Sequence, residues 1–421
     1  MIGKSFFSRA ACLLGLLGAN LPLHGGGFQV NLQGVSQVGM GHTGAGLAID
    51  PSAQLFNPGG FAMAKGGVSL SFMPIFGRVS YTEPSPGTYQ TSNEATMATP
   101  FSAYGGGCIK ISEGHRLGFG LAAYTPFGSR IVYADDWKGQ FALREISVKA
   151  IFTQATVSYA YKDIFGIGGS FVYATGDVSV RKALPVQFPD GTYGEAVLKG
   201  AAGGLGFTAG VYFKPHEKLS IGLNYRSKVT FEASSGQAEF TVPSDLSSFF
   251  PNTTFSSALP MPATTTLGLA YRYGGEDDVV CLDVNHVGWS AYQALAFDFA
   301  ENTEKLEDSY SPRNYHNSMI YRVGWQGRMN EKLLLRAGFT VDMTPVPDGY
   351  LTPETPDAVK FGTSVGASYS LGPVRIDGAF MWVEGMKRTD INQETNFGGT
   401  FKARAFIPCI GVSWLPDFLN E

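Results

Sequence analysis

The sequence has few charged side chains and almost no net charge. Only 16% of its 421 residues are Asp, Glu, Lys or Arg, and the formal net charge is −4. Globular proteins usually carry about 25% charged residues, whereas disordered chains combine high net charge with few aromatic residues. The composition therefore excludes a disordered chain. It also predicts no nucleic-acid partner, because there is no excess of basic residues.

Long apolar runs are missing as well. A membrane-spanning helix needs about 20 consecutive apolar residues, but the longest near-continuous apolar stretch here covers only residues 10–19. Lys4 and Arg9 precede this stretch, and the small residues Gly18 and Ala19 close it. This arrangement excludes a helical membrane protein and predicts a secretory signal peptide, which we place at residues 1–24.

Cysteine and metal-ligand motifs are scarce. Cys108, Cys281 and Cys409 stand in separate segments and no CxxC pair occurs, which argues against a disulfide framework and a metal site. Residues 39–44 match the bare GxGxxG pattern, but a dinucleotide site needs a strand, a turn and a helix around it. We therefore predict neither a cofactor nor a metal ion.

Glycine and aromatic residues are abundant instead, with 54 Gly and 13% aromatic residues. Because Gly costs about 1 kcal/mol per helical position relative to Ala, this composition favours an all-β fold. From residue 67 onward, apolar and polar residues alternate with a period of two, as β-strands require. In one such segment Leu219, Ile221 and Leu223 alternate with Ser220, Gly222 and Asn224.

Fourteen alternating segments lie between residues 67 and 415, and the connections between them alternate strictly between short and long. This is the pattern of an up-and-down membrane barrel, with tight periplasmic turns and long outer loops. We predict a transmembrane antiparallel β-barrel of 14 strands over residues 67–415, followed by a C-terminal tail at 416–421. The alternative is an exported β-sandwich or propeller, but no fixed-period repeat is present.

Residues 25–66 do not fit the barrel pattern. The stretch is rich in Gly, yet it carries regularly spaced apolar residues such as Leu32, Val35 and Leu55. We predict an N-terminal hatch that plugs the lumen; the alternative is a periplasmic extension.

Several ordered motifs carry a resemblance to a known family. They are Gly26-Gly27-Phe28-Gln29-x-Asn31 and Asn57-Pro58 in the hatch, then Pro126-Phe127-Gly128, Trp137-Lys138-Gly139-Gln140, Trp289-Ser290 and Thr344-Pro345-Val346-Pro347. In this order they resemble the long-chain fatty acid outer-membrane transporter family (FadL/TodX type, OMPP1). The sequence departs from the family pattern at one point: the family commonly has Asn-Pro-Ala in the hatch, whereas this chain has Asn57-Pro58-Gly59.

The resemblance implies a plugged barrel that passively takes up long-chain fatty acids or other hydrophobic small molecules. A kink in the third strand would open the wall, so that ligand leaves sideways into the membrane. It also implies the outer membrane of a Gram-negative-type cell, with both termini periplasmic. The expected partners are outer-membrane lipid and lipopolysaccharide, a hydrophobic ligand and the barrel-assembly machinery, and we expect a monomer.

Candidate ligand-binding residues fall into two sets. The predicted outer loop at 246–261 is unusually apolar, and exposed apolar patches mark binding sites; its candidates are Phe249, Phe250, Phe255, Leu259 and Met261. Arg226, Arg322 and Arg336 have lumen parity and could hold an anionic head group. The alternatives are mutual packing of the loop residues and ordinary lumen electrostatics.

Candidate gate residues are Phe28, Asn57 and Pro58 in the hatch, together with Gly118 and Gly120. Phe28 is also a ligand-binding candidate, because an apolar side chain near the expected mature N-terminus could act as a mobile gate against the ligand. Glycines within a strand often mark a bulge or bend. Two other functions compete with the transporter. A general diffusion porin would lack the long N-terminal segment. A hydrolase built on Asn285 and His286 would need a GxSxG nucleophile motif at a strand-to-helix turn. The bare match at residues 362–366 lies within an alternating segment and predicts no such turn.

Overall fold

A computed structural model describes residues 26–275 and 277–419 of the chain. The predicted signal peptide at 1–24 lies outside the described residues, as do the last two residues of the predicted tail. Within the described ranges, none of the helices is long and apolar enough to cross a membrane.

The described residues form a mostly antiparallel β-structure. The strands are β1 (Gly67–Phe72), β2 (Ile75–Thr82), β3 (Gln90–Ser92), β4 (Met97–Ala98), β5 (Phe101–Ser112), β6 (His115–Val132), β7 (Glu145–Tyr161), β8 (Phe165–Gln187), β9 (Tyr193–His216), β10 (Leu219–Arg226), β11 (Val229–Thr241), β12 (Thr253–Met261), β13 (Thr264–Arg272), β14 (Val279–Val287), β15 (Ala294–Phe299), β16 (Ser309–Pro312), β17 (Ser318–Arg328), β18 (Leu333–Asp342), β19 (Lys360–Leu371), β20 (Val374–Gly385), β21 (Arg388–Ile391) and β22 (Gly398–Trp414).

These segments close into a ring of 14 barrel strands, which confirms the predicted fold. Short breaks divide several barrel strands into pieces, among them β1/β2, β10/β11, β12/β13, β14/β15, β16/β17 and β20/β21. Each neighbour pairs antiparallel with the next, and β22 closes the ring on β1 and β2. A closed ring is required in a membrane, since an open sheet edge would leave backbone groups unpaired in hydrocarbon.

The barrel has an apolar outside and a polar inside, as the alternation predicts. On β22, Ile410, Val412 and Trp414 are exposed, whereas Gly411 and Ser413 between them are buried. The outward face of such a barrel is the face that contacts hydrocarbon. The low charge content of the chain follows, because one face of every strand must be apolar.

The strands extend further than the sequence predicts at the end opposite the tight turns. Residues 182–199, which the alternation assigns to a long connection, are largely a hairpin of β8 and β9 joined through residues 188–192. Likewise, the connection at 234–261, which includes the predicted apolar loop at 246–261, contains the end of β11 and all of β12. One face of these outer strand ends is still buried, as at Ala196 and Leu198 of β9. The opposite face carries polar residues such as Glu195 and Lys199 instead of the apolar residues that face hydrocarbon, so the alternation that identifies the barrel strands is lost there.

Residues 26–66 lie inside the barrel rather than below it. The segment contains two short helices, α1 (Val35–Gly39) and α2 (Ala53–Phe56), and a 3-10 helix at Pro58–Met63. From residue 32 to residue 62 every residue is buried except Ala48 and Ile49, which are half-buried. We call residues 26–66 the hatch.

Asn57 and Pro58 fix the turn into the last hatch helix. The Asn57 side chain accepts a hydrogen bond from Gly59 N at 3.0 Å and donates to Ala45 O at 3.0 Å and to Val211 O of β9 at 2.9 Å. Pro58 occupies the first helical position, where the missing N–H costs nothing. The Asn-Pro sequence thus joins hatch and wall at one point.

Glycines on the inner wall let the hatch backbone come close. A Cβ atom added at Gly338 of β18 would overlap Gly41 N, and one added at Gly222 of β10 would overlap Ala45 O. Both contacts are with backbone, which cannot rotate away as a side chain can. Many lumen glycines therefore serve close approach of two backbones.

We predict that Gly338→Ala loosens the hatch, while Gly378→Ala on the outward face has no such effect because nothing lies within 4 Å of its added Cβ. Overpacking of this kind costs about 1–3 kcal/mol. Liposome swelling should detect it as faster entry of small sugars through the Gly338 variant, and heat denaturation as an earlier transition. Equal behaviour of the two variants would contradict the close-approach argument.

Candidate functional site

The barrel wall is interrupted beside the outer half of β6. The ladder between β5 and β6 ends at Ser102 opposite Tyr124, and the register of β6 against β7 shifts between Tyr124 and Phe127. Beyond this point β6 keeps a strand ladder only with β7 among the described residues. Pro126 lies at the shift and lacks the N–H that a regular ladder needs.

The bend therefore does not occur at Gly118 and Gly120, where we expected it. Both glycines stay in register with β5 and β7. Their missing side chains instead make room for the hatch, since a Cβ at Gly118 or Gly120 would press on Phe61 and one at Gly120 also on Gln54. These two glycines therefore allow close packing of the hatch against β6 and do not mark a distortion of the strand.

The start of the hatch pairs with the unpaired edge of β6. Val30 N donates to Pro126 O at 2.8 Å, and Gly128 N donates to Phe28 O at 3.2 Å. Gln29 and Phe127 form an antiparallel bridge between these two bonds. A three-residue piece of the hatch thus acts as a short strand at the interruption.

A cavity of about 690 Å³ lies at this interruption. One side is formed by residues 96–101, the other by residues 127–131 of β6, and the hatch residues 27–32 form its inner boundary. Its lining also includes the exposed side chains of Arg78, Arg130, Lys149 and Arg404. We call this space the wall cavity.

A second, smaller space lies deeper in the lumen, with a volume of about 50 Å³. Its lining is dominated by apolar side chains from several strands: Ile146, Val148, Val178, Val180, Phe231, Phe255, Leu259, Leu295 and Phe297. We call it the inner chamber. Only Phe255 and Leu259 of this set are candidates in the sequence, because the others lie on strands that are far apart along the chain.

Phe28 separates the two spaces. Its side chain packs against Trp289 at 4.8 Å, Tyr292 at 5.8 Å and Phe127 at 6.1 Å between ring centroids. The residues that line both spaces form a partition between them: Phe28, Ser129, Val148, Glu354 and Thr355. Gly27 precedes Phe28 with φ +61°, and a Cβ there would overlap Trp289, so only glycine lets the chain turn at this point.

The apolar candidates of residues 246–261 divide into three places. Phe255 and Leu259 lie on β12 and line the inner chamber, and Met261 is buried in the core at the end of the same strand. Phe250 packs against Phe240 at 6.1 Å in an outer apolar cluster, whereas Phe249 lies under the Lys305 ammonium at 4.9 Å. All five are buried or half-buried, so the expected exposed loop is a packed strand and turn.

The basic candidates lie elsewhere. Among the described residues, Arg226, Arg322 and Arg336 line neither the wall cavity nor the inner chamber. Arg226 stacks over Tyr124 at 5.7 Å, and Arg322 donates to Asn31 at 2.9 Å and to His42 O at 3.4 Å. The alternation along their strands predicts that these arginines face the lumen. It cannot distinguish an arginine that contacts the hatch from one that contacts a ligand.

Buried charges anchor the hatch to the wall. Arg375 of β20 binds Asp50 of the hatch at 2.5 Å and Asp377 at 3.0 Å. Asp377 accepts from Ser36 of α1 at 3.0 Å and pairs with Arg336 at 3.5 Å. Buried ion pairs of this kind are costly to break, because a lone charge would remain in an apolar region.

A second anchor uses backbone groups. Asp283 of β14 accepts hydrogen bonds from Gly44 N at 2.8 Å and Ala45 N at 3.1 Å of the hatch. The glycine-rich run that matched GxGxxG thus offers backbone N–H groups to a wall carboxylate. On the same strand Asn285 is buried and the next residue, His286, is exposed, so these two candidates of the hydrolase alternative lie on opposite faces.

Residues 17–413 match the family model described as outer membrane protein transport protein (OMPP1/FadL/TodX). The chain belongs to this family. It is 22% identical to a putative outer membrane protein of Neisseria meningitidis serogroup B, over 87% of this chain and 88% of that protein. It is 20% identical to the long-chain fatty acid transport protein of Escherichia coli O6:H1, over 92% and 93% of the two chains.

Solved structures of the family share the fold. A Pseudomonas aeruginosa FadL homologue superposes with a TM-score of 0.80 at 19% identity, covering 93% of this chain and all of that one. The Pseudomonas putida toluene transporter TodX gives 0.65 at 18% identity, covering 93% and 98%. Family membership confirms the resemblance and the predicted outer-membrane location.

We predict that Asp50→Asn loosens the hatch far more than Asp348→Asn. Asp50 pairs with a buried arginine, whereas the Asp348 side chain, which binds Arg388, is 97% exposed. Breaking the buried pair should cost about 3–5 kcal/mol, and breaking the exposed pair about 0–1 kcal/mol. Hydrogen exchange should accelerate in hatch peptides of the first variant only; equal exchange in both would show that the ion pair does not hold the hatch.

Proposed function

We propose that this family member mediates passive uptake of hydrophobic small molecules, long-chain fatty acids among the candidates, and releases them sideways through the wall cavity. The observation that carries the proposal is the partition at Phe28. It lies between an apolar chamber inside the barrel and a cavity at an interruption of the wall. The similar proteins named above include a long-chain fatty acid transport protein and a toluene transporter.

Access from outside would pass the apolar cluster at the outer end of the barrel. Phe240, Phe250 and Phe299 pack together there, and Phe255 belongs both to this cluster and to the inner chamber lining. A continuous apolar surface therefore leads from the outer strands into the lumen. It suits a solute that gains about 0.8 kcal/mol for each CH₂ group removed from water.

The exit would be sideways because the hatch occupies the axis. Its backbone is packed against the wall on several sides and is held by the Asp50 and Asp283 contacts. At the wall cavity, in contrast, the hatch backbone is joined to β6 through a bridge of three residues. A hydrophobic molecule that leaves there enters the membrane without meeting water again.

We infer further that the chain acts as a monomer in a leaflet containing lipopolysaccharide, inserted by the barrel-assembly machinery. The closed ring supports the first inference, since the barrel strands pair with neighbours of the same chain all the way round the described ring. The general diffusion porin is disfavoured by the buried hatch. We propose no enzymatic step.

Locking the hatch to β6 should stop uptake. The bridge partners Gln29 and Phe127 are suited to a paired cysteine substitution, Gln29→Cys with Phe127→Cys, made after Cys108, Cys281 and Cys409 are replaced by Ser. Oxidised cells should take up the uncharged fluorescent probe N-phenyl-1-naphthylamine no faster than cells without the protein. A reductant should restore uptake.

A matched control places the same cross-link away from the hatch. Thr389 of β21 and Thr400 of β22 face each other across the ladder, so the pair Thr389→Cys with Thr400→Cys should leave uptake unchanged when oxidised. If the hatch disulfide forms and the probe still enters at the normal rate, sideways release at this point is wrong.

A further inference from the structure

The partition between the two spaces carries one charged side chain that also lines the inner chamber. Among the described residues that line the inner chamber, Glu354 is the one with a charged side chain. Glu354 also lines the wall cavity and belongs to the partition with Phe28. A ligand that moves from the chamber to the wall cavity must therefore pass its carboxylate.

The cation that balances Glu354 does not face the ligand route. Arg313 pairs with Glu354, and its side chain is only 4% exposed while that of Glu354 is 14% exposed. Nη1 of Arg313 donates to Ser311 Oγ at 2.7 Å and to Pro312 O at 3.4 Å.

No other cation compensates at the chamber within the described part of the chain. Lys360 lines the wall cavity but binds Asp357 at 2.7 Å. Four other cations line the wall cavity and have no buried carboxylate partner. They are exposed and lie on the far side of the partition from the chamber: Arg78, Arg130, Lys149 and Arg404. An anionic head group in the chamber would thus meet a carboxylate and no free cation.

We propose that Glu354 is a charge filter, which admits uncharged hydrophobic molecules to the wall cavity and rejects their carboxylate counterparts. The accepted class comprises hydrocarbons, alcohols and esters. A carboxylate in an apolar chamber is unfavourable without a paired cation, and juxtaposition with a second carboxylate adds repulsion that water screens poorly there. This inference rests on the proposed function and narrows its substrate class.

The competing explanation is that the Arg313–Glu354 pair only ties the loop at residues 343–357 to β16. A tie would affect stability and the binding of every ligand alike. A filter would affect charged ligands alone. The discriminating measurement is therefore the ratio of affinities for two ligands of equal size and different charge.

The experiment titrates the mature chain in a nonionic detergent with 1-octanol and with octanoate at pH 7.4, using calorimetry. Each affinity is corrected for partition of the ligand into protein-free detergent. We expect the wild type to bind octanol and to reject octanoate. Glu354→Gln should strengthen octanoate binding by about tenfold or more and leave octanol binding nearly unchanged.

Two further variants keep the test decisive. The double substitution Arg313→Gln with Glu354→Gln removes both charges, so that no unpaired buried arginine is left to cause misfolding. This variant should also lose the discrimination between octanol and octanoate. Glu195→Gln is the control, because Glu195 binds Arg144 at 2.9 Å in a half-buried pair that lines neither space; it should keep the wild-type ratio.

The outcomes separate the two proposals. Equal corrected affinities of the wild type for octanol and octanoate, unchanged in the Glu354 variants, would overturn the charge filter and leave hydrophobic uptake intact. Octanoate rejection that persists in both Glu354 variants would likewise overturn it. Failure of every variant to bind either ligand would contradict the proposed function itself.

Discussion

The close contact between hatch backbone and barrel wall is the constraint on which the rest of the structure depends. Gly222 and Gly338 leave no room for a side chain where the hatch passes. Because the two backbones touch, wall carboxylates such as Asp283 reach hatch N–H groups directly. The hatch is therefore a fixed part of the lumen, and any path for a solute must lie beside it.

This constraint also explains where the charges are. One face of every barrel strand must contact hydrocarbon, so charged side chains are confined to the lumen and to the polar ends. In the lumen they must be paired, and the hatch supplies partners such as Asp50 for Arg375. The three arginines that the sequence offers as head-group ligands are held by other contacts: Arg226 stacks on Tyr124, Arg322 binds the hatch and Arg336 pairs with Asp377. Among the described lining residues of the inner chamber, Glu354 is then the one with a charged side chain.

The barrel and its plug could be predicted from the sequence, because a period of two reports which face of a strand is apolar. The alternation shows whether a side chain faces the lumen or the membrane. It does not show how far along the barrel axis the side chain lies or which residue it meets inside the lumen. Arg322 and Arg336 were thus placed in the lumen correctly, yet not against the hatch. The bend at Pro126 was obscured by Gly118 and Gly120, since glycine serves both bends and close packing. Glu354 gave no signal, because its position in a long loop follows no period.

The partition and the wall interruption are mechanically linked through adjacent residues. Gln29 bridges the open edge of β6, and Phe28, the residue before it, fills the space against Trp289 and Tyr292. Their peptide units share one short extended segment held by two hydrogen bonds to residues 126 and 128. Movement of this segment away from β6 would displace the Phe28 ring as well. Opening of the chamber and opening of the wall would then be a single event, so the lumen need never connect to the periplasm for a hydrophobic molecule to leave.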